Sequence, residues 1–222
     1  MNNKKVLIIG GGISGVGAAK LAVSKGYVTA LTTLDKLQVN EKIKLVELGV
    51  VIEEGKHSLD DLVSNNFIIK SPGVPSNISL LIEARKQKIP IISEIEFAYM
   101  FTDAHIIAIT GTNGKTTTSY LLYSILKSAG FNVGLAGNIG TSFSYSLLNN
   151  KHTHYILELS SFQLEDIIHF KPDISILLNI DKDHLDRYDD FKTYIKTKFK
   201  IQMNQTSNEL FIYFLNDSNI NP

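Results

Sequence analysis

The sequence predicts an α/β protein in which a Rossmann-like N-terminal domain is followed by a P-loop-type parallel-sheet domain. Three observations carry that expectation. Short β-branched runs alternate with amphipathic stretches along the chain, the pattern of parallel sheets covered by helices. Gly10-Gly-Gly-Ile-Ser-Gly15 follows the apolar run Val6–Ile9, and Gly111-Thr-Asn-Gly-Lys-Thr-Thr117 follows Ile106–Ile109. A glycine loop between a strand and a helix, found twice, implies two nucleotide-type domains, residues 1–100 and 101–222, joined near Glu96–Asp103.

In the first half the expected strands are Val6–Ile9, Val28–Leu31, Val50–Ile52, Phe67–Lys70 and Ile89–Ile92, with helices between them. In the second half they are His105–Ile109, Phe131–Leu135, Tyr155–Leu157, Ile174–Leu178 and Leu210–Leu215. The best helix spans Thr116–Ala129, with Leu121, Leu122, Ile125, Leu126 and Ala129 on one face and Gly130 at its end.

Composition narrows the ligands. The 22 Lys and Arg balance 22 Asp and Glu, so no basic field invites nucleic acid or a membrane surface, and small anions fit better. Cysteine is absent, which excludes disulfide and thiol chemistry and agrees with a cytoplasmic site of action. No apolar run approaches the ~20 residues that cross a bilayer.

The second glycine loop carries the most specific chemistry. Its backbone N–H groups can turn around an anion, Lys115 can neutralise the β/γ-phosphates, and the Thr116 hydroxyl suits a phosphate-bound Mg²⁺. Gly111, Thr112, Asn113, Gly114, Lys115, Thr116 and Thr117 are therefore candidate ATP-binding residues. The pattern departs from G-x-x-x-x-G-K-[ST], which needs a glycine at position 109; this is the shorter T-G-T-N-G-K-T form. Two other strands expected in the same sheet also end in polar chemistry, at Glu158 and at Asn179–His184. Glu158 and Thr116 offer oxygen and His184 nitrogen to Mg²⁺ or Mn²⁺. The first loop makes a pyrophosphate site at a helix N-terminus, and Ser71-Pro72-Gly73 is expected at the same sheet edge. The strand that would carry a ribose-binding acid ends in Thr32-Thr33, with Asp35 two residues on.

Gly111–Thr117, Gly137–Gly140, Glu158–Leu164 and Asp183–Tyr188 together resemble the Mur ligases of peptidoglycan synthesis, and the likeness runs over essentially the whole chain. The resemblance implies an ATP-driven amide synthesis in which the carboxylate of UDP-N-acetylmuramoyl-L-alanine becomes an acyl phosphate and is attacked by the amine of D-glutamate. It implies that Ile13, Ser14, Thr33 and Gly73 line the uridine-diphosphate site, that Asn138 and His184 meet the substrate near its reacting end, and that Lys115, His184 and Lys198 are catalytic. Lys198 matches a lysine that the family carbamylates as a Mg²⁺ ligand, so Thr116, Glu158, His184 and Lys198 form the implied metal set. Three other lysines lie within six residues of Lys198, at 192, 196 and 200, and a solvated basic helix face is the plain alternative. Relatives usually carry an acid where Thr33 stands, which leaves the uridine contact to the Thr33 hydroxyl or to Asp35. The resemblance also implies a longer central domain and an amino-acid-binding third domain, so the chain is expected to be a truncated monomer, inactive alone. Competing readings are another Mur or folylpolyglutamate-type ligase, an NAD-dependent oxidoreductase built on Gly10–Gly15, and a silent nucleotide-binding module.

Overall fold

The computed structural model describes residues 4–58, 65–149, 151–183, 187–188 and 190–221. The chain divides into two compact units. One is residues 1–101 with Ser142–Asn149, and the other is Thr102–Thr141 with residues 150–222.

In the first unit the strands are β1 (Lys5–Ile9), β2 (Val28–Thr33), β3 (Val51–Glu54), β4 (Phe67–Lys70) and β5 (Ile91–Ser93). They form one sheet in the order β3-β2-β1-β4-β5, every pair parallel. Helices α1 (Ile13–Ser24), α2 (Val39–Glu47), α3 (Ser79–Lys86) and α4 (Glu94–Tyr99) connect or follow these strands. Because β1 lies between β2 and β4, the strand order reverses beside it, and the Gly10–Gly15 loop leaves from that switch point. Leu7, Ile9 and Ile68 meet Leu80, Leu81 and Ala84 of α3 in a fully buried cluster.

The second unit holds β6 (His105–Thr110), β7 (Val133–Gly137), β8 (His154–Glu158), β9 (Ile174–Leu177) and β10 (Leu210–Tyr213), again all parallel, in the order β10-β9-β6-β8-β7. Its helices are α5 (Lys115–Ser128), the single turn α7 (Ser161–Leu164) and α8 (Phe191–Phe199), while α6 (Phe143–Asn149) between them belongs to the first unit. Here β6 is the switch strand, and the Gly111–Thr117 loop leaves from its end.

Several strand starts fall later than the sequence suggests, for one physical reason. Where a helix ends with a residue in the left-handed region, the next N–H turns back to a carbonyl in the last helical turn. Val50 donates to Leu45 O after Gly49 at φ 81°, Ile89 to Ala84 O after Lys88 at φ 57°, and Phe131 to Leu126 O after Gly130 at φ 86°. Those apolar residues close helices, so β3, β5 and β7 begin at Val51, Ile91 and Val133. At the other end of the chain β10 stops at Tyr213, because Phe214 enters a turn closed by Asp217 N–H on Phe214 O.

The expected apolar face of α5 is also corrected. Leu122, Tyr123 and Leu126 pack on Ile109, Val133 and Ile156, and Ser119 is buried. Leu121, Ile125 and Ala129 are exposed. The apolar band is two residues wide at 121/122 and 125/126, and the sheet covers one side of it.

Two further differences concern the joint. Glu96–Tyr99 is helix, so the crossing narrows to Phe101–Thr102. The segment Ser142–Asn149, placed by the sequence in the second domain, packs instead on α1 and α4 of the first unit. Small residues on α1 make room, since a Cβ on Gly17 would come within 2.1 Å of Ser142 Oγ. Glu94, the first residue of α4, is fully buried and its Oε1 accepts the Ser144 N–H of α6 at 2.5 Å. Among the described residues its Oε2 is buried without a partner, and burial pushes its carboxyl up to about 7.

Candidate functional site

In the second unit the polar chemistry gathers at the carboxyl ends of β6, β8 and β9. Thr110 closes β6, and its buried hydroxyl donates to Leu159 O at 2.7 Å, tying the start of the glycine loop to the end of β8. Helix α5 begins at Lys115, with Gly114 at φ 80° as its cap and no acidic residue in its first turn. The N–H groups of that turn have no intrahelical partners, and the helix dipole adds positive potential there. A helix start of this kind suits an anion.

Two lysines converge on it. Lys115 Nζ donates to Gly111 O at 2.9 Å and Thr112 O at 2.8 Å, and the buried Lys198 Nζ of α8 donates to the same Gly111 O at 2.8 Å. Burial lowers the Lys115 pKa, against the raising effect of Glu158 and Asp183. Lys198 is brought down to about 7, first by burial and then by the charge of Lys115, with Asp183 opposing. Burial and mutual repulsion disfavour charge on both amines at this one carbonyl, and an anion beside them would favour their protonated forms. The solvated-face alternative for Lys198 is thereby set aside.

Glu158 ends β8. It is buried, its Oε1 accepts Asn138 Nδ2 at 2.8 Å, and Asn138 N–H bonds Glu158 O at 2.8 Å. Among the described residues its Oε2 is buried with no partner, an arrangement that costs about 1–3 kcal/mol unless a cation or donor arrives. The residues after it are ordered by their own chemistry: Ser160 caps α7 and Gln163 reaches back to the Ser160 N–H, a reciprocal capping box.

The Glu158 Oε2 and the Thr116 hydroxyl, on an exposed residue opening α5, are hard oxygen donors and fit Mg²⁺. Among the described residues no group of three His, Cys, Asp or Glu side chains gathers as a metal cage. A divalent ion held here would lean on phosphate and water oxygens. His184, the expected nitrogen ligand and substrate contact, lies outside the described residues.

Asn179, named in the sequence only as the first residue of the polar strand end Asn179–His184 and given no role there, holds the glycine loop from the end of β9. Its Oδ1 accepts the Asn113 N–H at 2.8 Å and its Nδ2 donates to Asn113 O at 3.0 Å. The Thr112 N–H bonds Asn179 O at 3.0 Å, and Thr112 Oγ1 lies 3.1 Å from the Tyr194 hydroxyl of α8.

The first unit has a candidate site of its own at the Gly10–Gly15 loop. A Cβ on Gly15 would sit 1.8 Å from Gly10 O, so the loop folds onto the first turn of α1 only with glycine there. Ser71 Oγ donates to Gly10 O at 3.2 Å, and Gly10 N–H to Thr32 O at 2.8 Å, which binds the loop to β4 and β2. Thr33 is buried with its hydroxyl beside Gly11, where a Cβ would meet Oγ1 at 3.0 Å. Asp35 is exposed past the strand end, Ile13 and Gly73 are exposed, and Ser14 is half-buried. Behind this edge Thr32 Oγ1 donates to Lys56 O at 2.7 Å, with His57 Nδ1 at 2.9 Å. The Ser58 hydroxyl and N–H donate to Glu53, which with Lys56 and Thr32 holds that carboxyl down at about 2. The pair Glu53-Glu54 closing β3 was the available signal for this brace.

Comparison with known proteins matches both units. A family model described as "Mur ligase MurD-like, N-terminal domain" covers residues 4–93, and one described as "Mur ligase middle domain" covers 109–221. The UDP-N-acetylmuramoylalanine–D-glutamate ligase of Bacteroides fragilis is 48% identical over 215 residues, 96% of this chain and 48% of that protein. The protein of the same name from Bacteroides thetaiotaomicron is 46% identical over 215 residues, with the same coverage of 96% and 48%. The chain thus spans about half the length of the curated relatives it matches. Among solved structures, a UDP-N-acetylmuramate:L-alanyl-gamma-D-glutamyl-meso-diaminopimelate ligase from Neisseria meningitides superimposes with TM-score 0.65 at 20% identity, over 98% of this chain and 73% of that one. A UDP-N-acetylmuramate-alanine ligase from Thermotoga maritima gives 0.57 at 21%, over 97% and 50%. These two show the fold alone. With one family match on each sheet, the second extending over half the chain, and relatives near half identity along almost its full length, the chain belongs to the Mur ligase family.

Proposed function

We propose that this chain is the nucleotide-handling part of an ATP-dependent ligase that joins D-glutamate to UDP-N-acetylmuramoyl-L-alanine in peptidoglycan precursor synthesis, in the cytoplasm where ATP is supplied. The observation that carries the reading is the meeting of Lys115 and Lys198 on Gly111 O at the open start of α5. In the proposed reaction a carboxylate oxygen of the UDP-sugar attacks the γ-phosphorus and ADP leaves; the amine of D-glutamate then attacks the acyl carbon, phosphate leaves and a proton is lost. Phosphoryl transfer asks the protein mainly for positioning and charge stabilisation. Lys115 and the N–H groups that open α5, with Gly111–Thr117 around them, would hold the triphosphate, the Thr112 and Asn113 N–H groups being bonded to Asn179. Thr116, Glu158 and, through a carbamate, Lys198 would hold Mg²⁺, which when bound offsets the charge gathered on the transferring group; His184 completes the set the family resemblance implies. Asn138 would orient the reacting carboxylate, as would His184. Ile13, Ser14, Thr33 and Gly73 would take the uridine diphosphate, and the buried Thr33 hydroxyl beside Gly11 favours it over exposed Asp35.

The test is calorimetric titration of the chain with Mg·ATP and with UDP-N-acetylmuramoyl-L-alanine, followed by assay of phosphate release and product formation with D-glutamate. Binding of both ligands is expected. A folded chain that binds neither overturns the reading.

Only a neutral amine reacts with CO₂, and a lysine held at about 7 supplies one at neutral pH. Incubation with ¹³C-bicarbonate and Mg²⁺ is expected to give a carbamate carbon resonance that Lys198→Arg abolishes. The same resonance in parent and variant, or none in the parent, counts against Lys198 as a metal ligand.

A further inference from the structure

Asn179 sits where β6 and β9 part company. The strands pair as far as Thr110 and Leu177, and Leu178 N–H still reaches Thr110 O at 3.0 Å. Beyond that point the strand pairing ends, yet the hydrogen bonding continues. Thr112 N–H finds Asn179 O, and the Asn179 side-chain amide then offers one acceptor and one donor to the N–H and C=O of Asn113 at 2.8 and 3.0 Å. A carboxamide carries the same donor and acceptor as a peptide unit. It serves here as one more rung, made of side chain, between a strand end and a loop. Around it Asp181 N–H donates to Thr112 Oγ1 at 2.9 Å, and Asn113 Nδ2 reaches Asp181 Oδ2 at 3.4 Å.

We infer that Asn179 is a positioning residue for nucleotide binding: its amide engages both the N–H and the C=O of Asn113 and so sets the loop curvature that aims the α5 N-terminus at phosphate. The inference rests on the reading of Gly111–Thr117 as an ATP loop. Asparagine is the side chain that fits. Aspartate keeps the acceptor for Asn113 N–H but loses the donor and adds a negative charge beside a bound polyphosphate; alanine loses both bonds and adds no charge.

That difference separates a positioning role from general stability. Amide exchange of the ligand-free chain is measured at Asn113, with Mg·ATP affinity by calorimetry, for the parent, Asn179→Ala and Asn179→Asp. In Asn179→Ala the Asn113 amide is expected to exchange about three- to tenfold faster, with β8 amides unchanged and Mg·ATP affinity lower by a similar factor. Asn179→Asp is expected to keep the slow Asn113 exchange and yet bind Mg·ATP more weakly than Asn179→Ala. Unchanged Asn113 exchange in Asn179→Ala, or parent-like affinity in Asn179→Asp, overturns the inference. Failure of the parent itself to bind Mg·ATP, with the exchange pattern as expected, overturns instead the nucleotide reading on which it rests.

Discussion

Lys115→Ala is expected to weaken Mg·ATP binding roughly ten- to a hundredfold, the loss of a charge-assisted contact of about 1.5–3 kcal/mol. The free protein sets where in that range the value falls. Lys115 Nζ already donates to Gly111 O and Thr112 O, and those bonds must be exchanged for phosphate oxygens when nucleotide enters. The exchange trims the net gain and places the effect nearer the lower bound. Thr116→Ala removes an exposed hydroxyl that bonds none of the described residues, so its cost should appear only in the presence of Mg²⁺. Calorimetry with and without the metal checks both. Parent-like affinity in Lys115→Ala would place the triphosphate elsewhere.

The second large effect is on stability. The Glu94 carboxyl stands near 4.5 when exposed and about 7 when buried between α4 and α6, so folding favours its protonated form. Its contribution is fully present below about pH 4.5 and is lost as pH rises through about 7, an amount of order 3 kcal/mol. Glu53, held near 2, acts with the opposite sign and in a lower window, gaining above 4.5 and losing as pH falls toward 2. Glu94→Gln keeps an oxygen for the Ser144 N–H and cannot ionise. Urea unfolding at about pH 5 and about pH 8 should show the parent losing stability on going to the higher pH relative to the variant. Equal pH slopes in the two proteins would show that Glu94 does not carry this linkage.

The parallel sheets and both glycine loops were legible because their signals are local: a β-branched run, then a turn only glycines allow, then an amphipathic stretch. Lys115 and Glu158 were found as strand-end chemistry. The strand starts at Val51, Ile91 and Val133 were not, because Val50, Ile89 and Phe131 look like strand residues yet spend their N–H groups closing helices. Leu121 and Ile125 misled for a different reason: helical period shows which residues share a face, not how much of that face a sheet covers. The Asn179 rung and the Glu94–Ser144 contact span 66 and 50 positions, and no local pattern announces bonds that distant.

The placement of Ser142–Asn149 in the first unit has a consequence for synthesis on the ribosome. Residues 1–101 emerge first and can form all five strands of their sheet, but the helix that covers α1 and α4 is not translated until β6, α5 and β7 have been made. The N-terminal unit therefore waits, with an apolar flank open, while some forty residues of another core pass through the exit tunnel, a delay of about 2–8 s at ordinary elongation rates. A cut after Phe101 would make that wait permanent, leaving the buried Glu94 carboxyl without its amide and the α1 face without its cover.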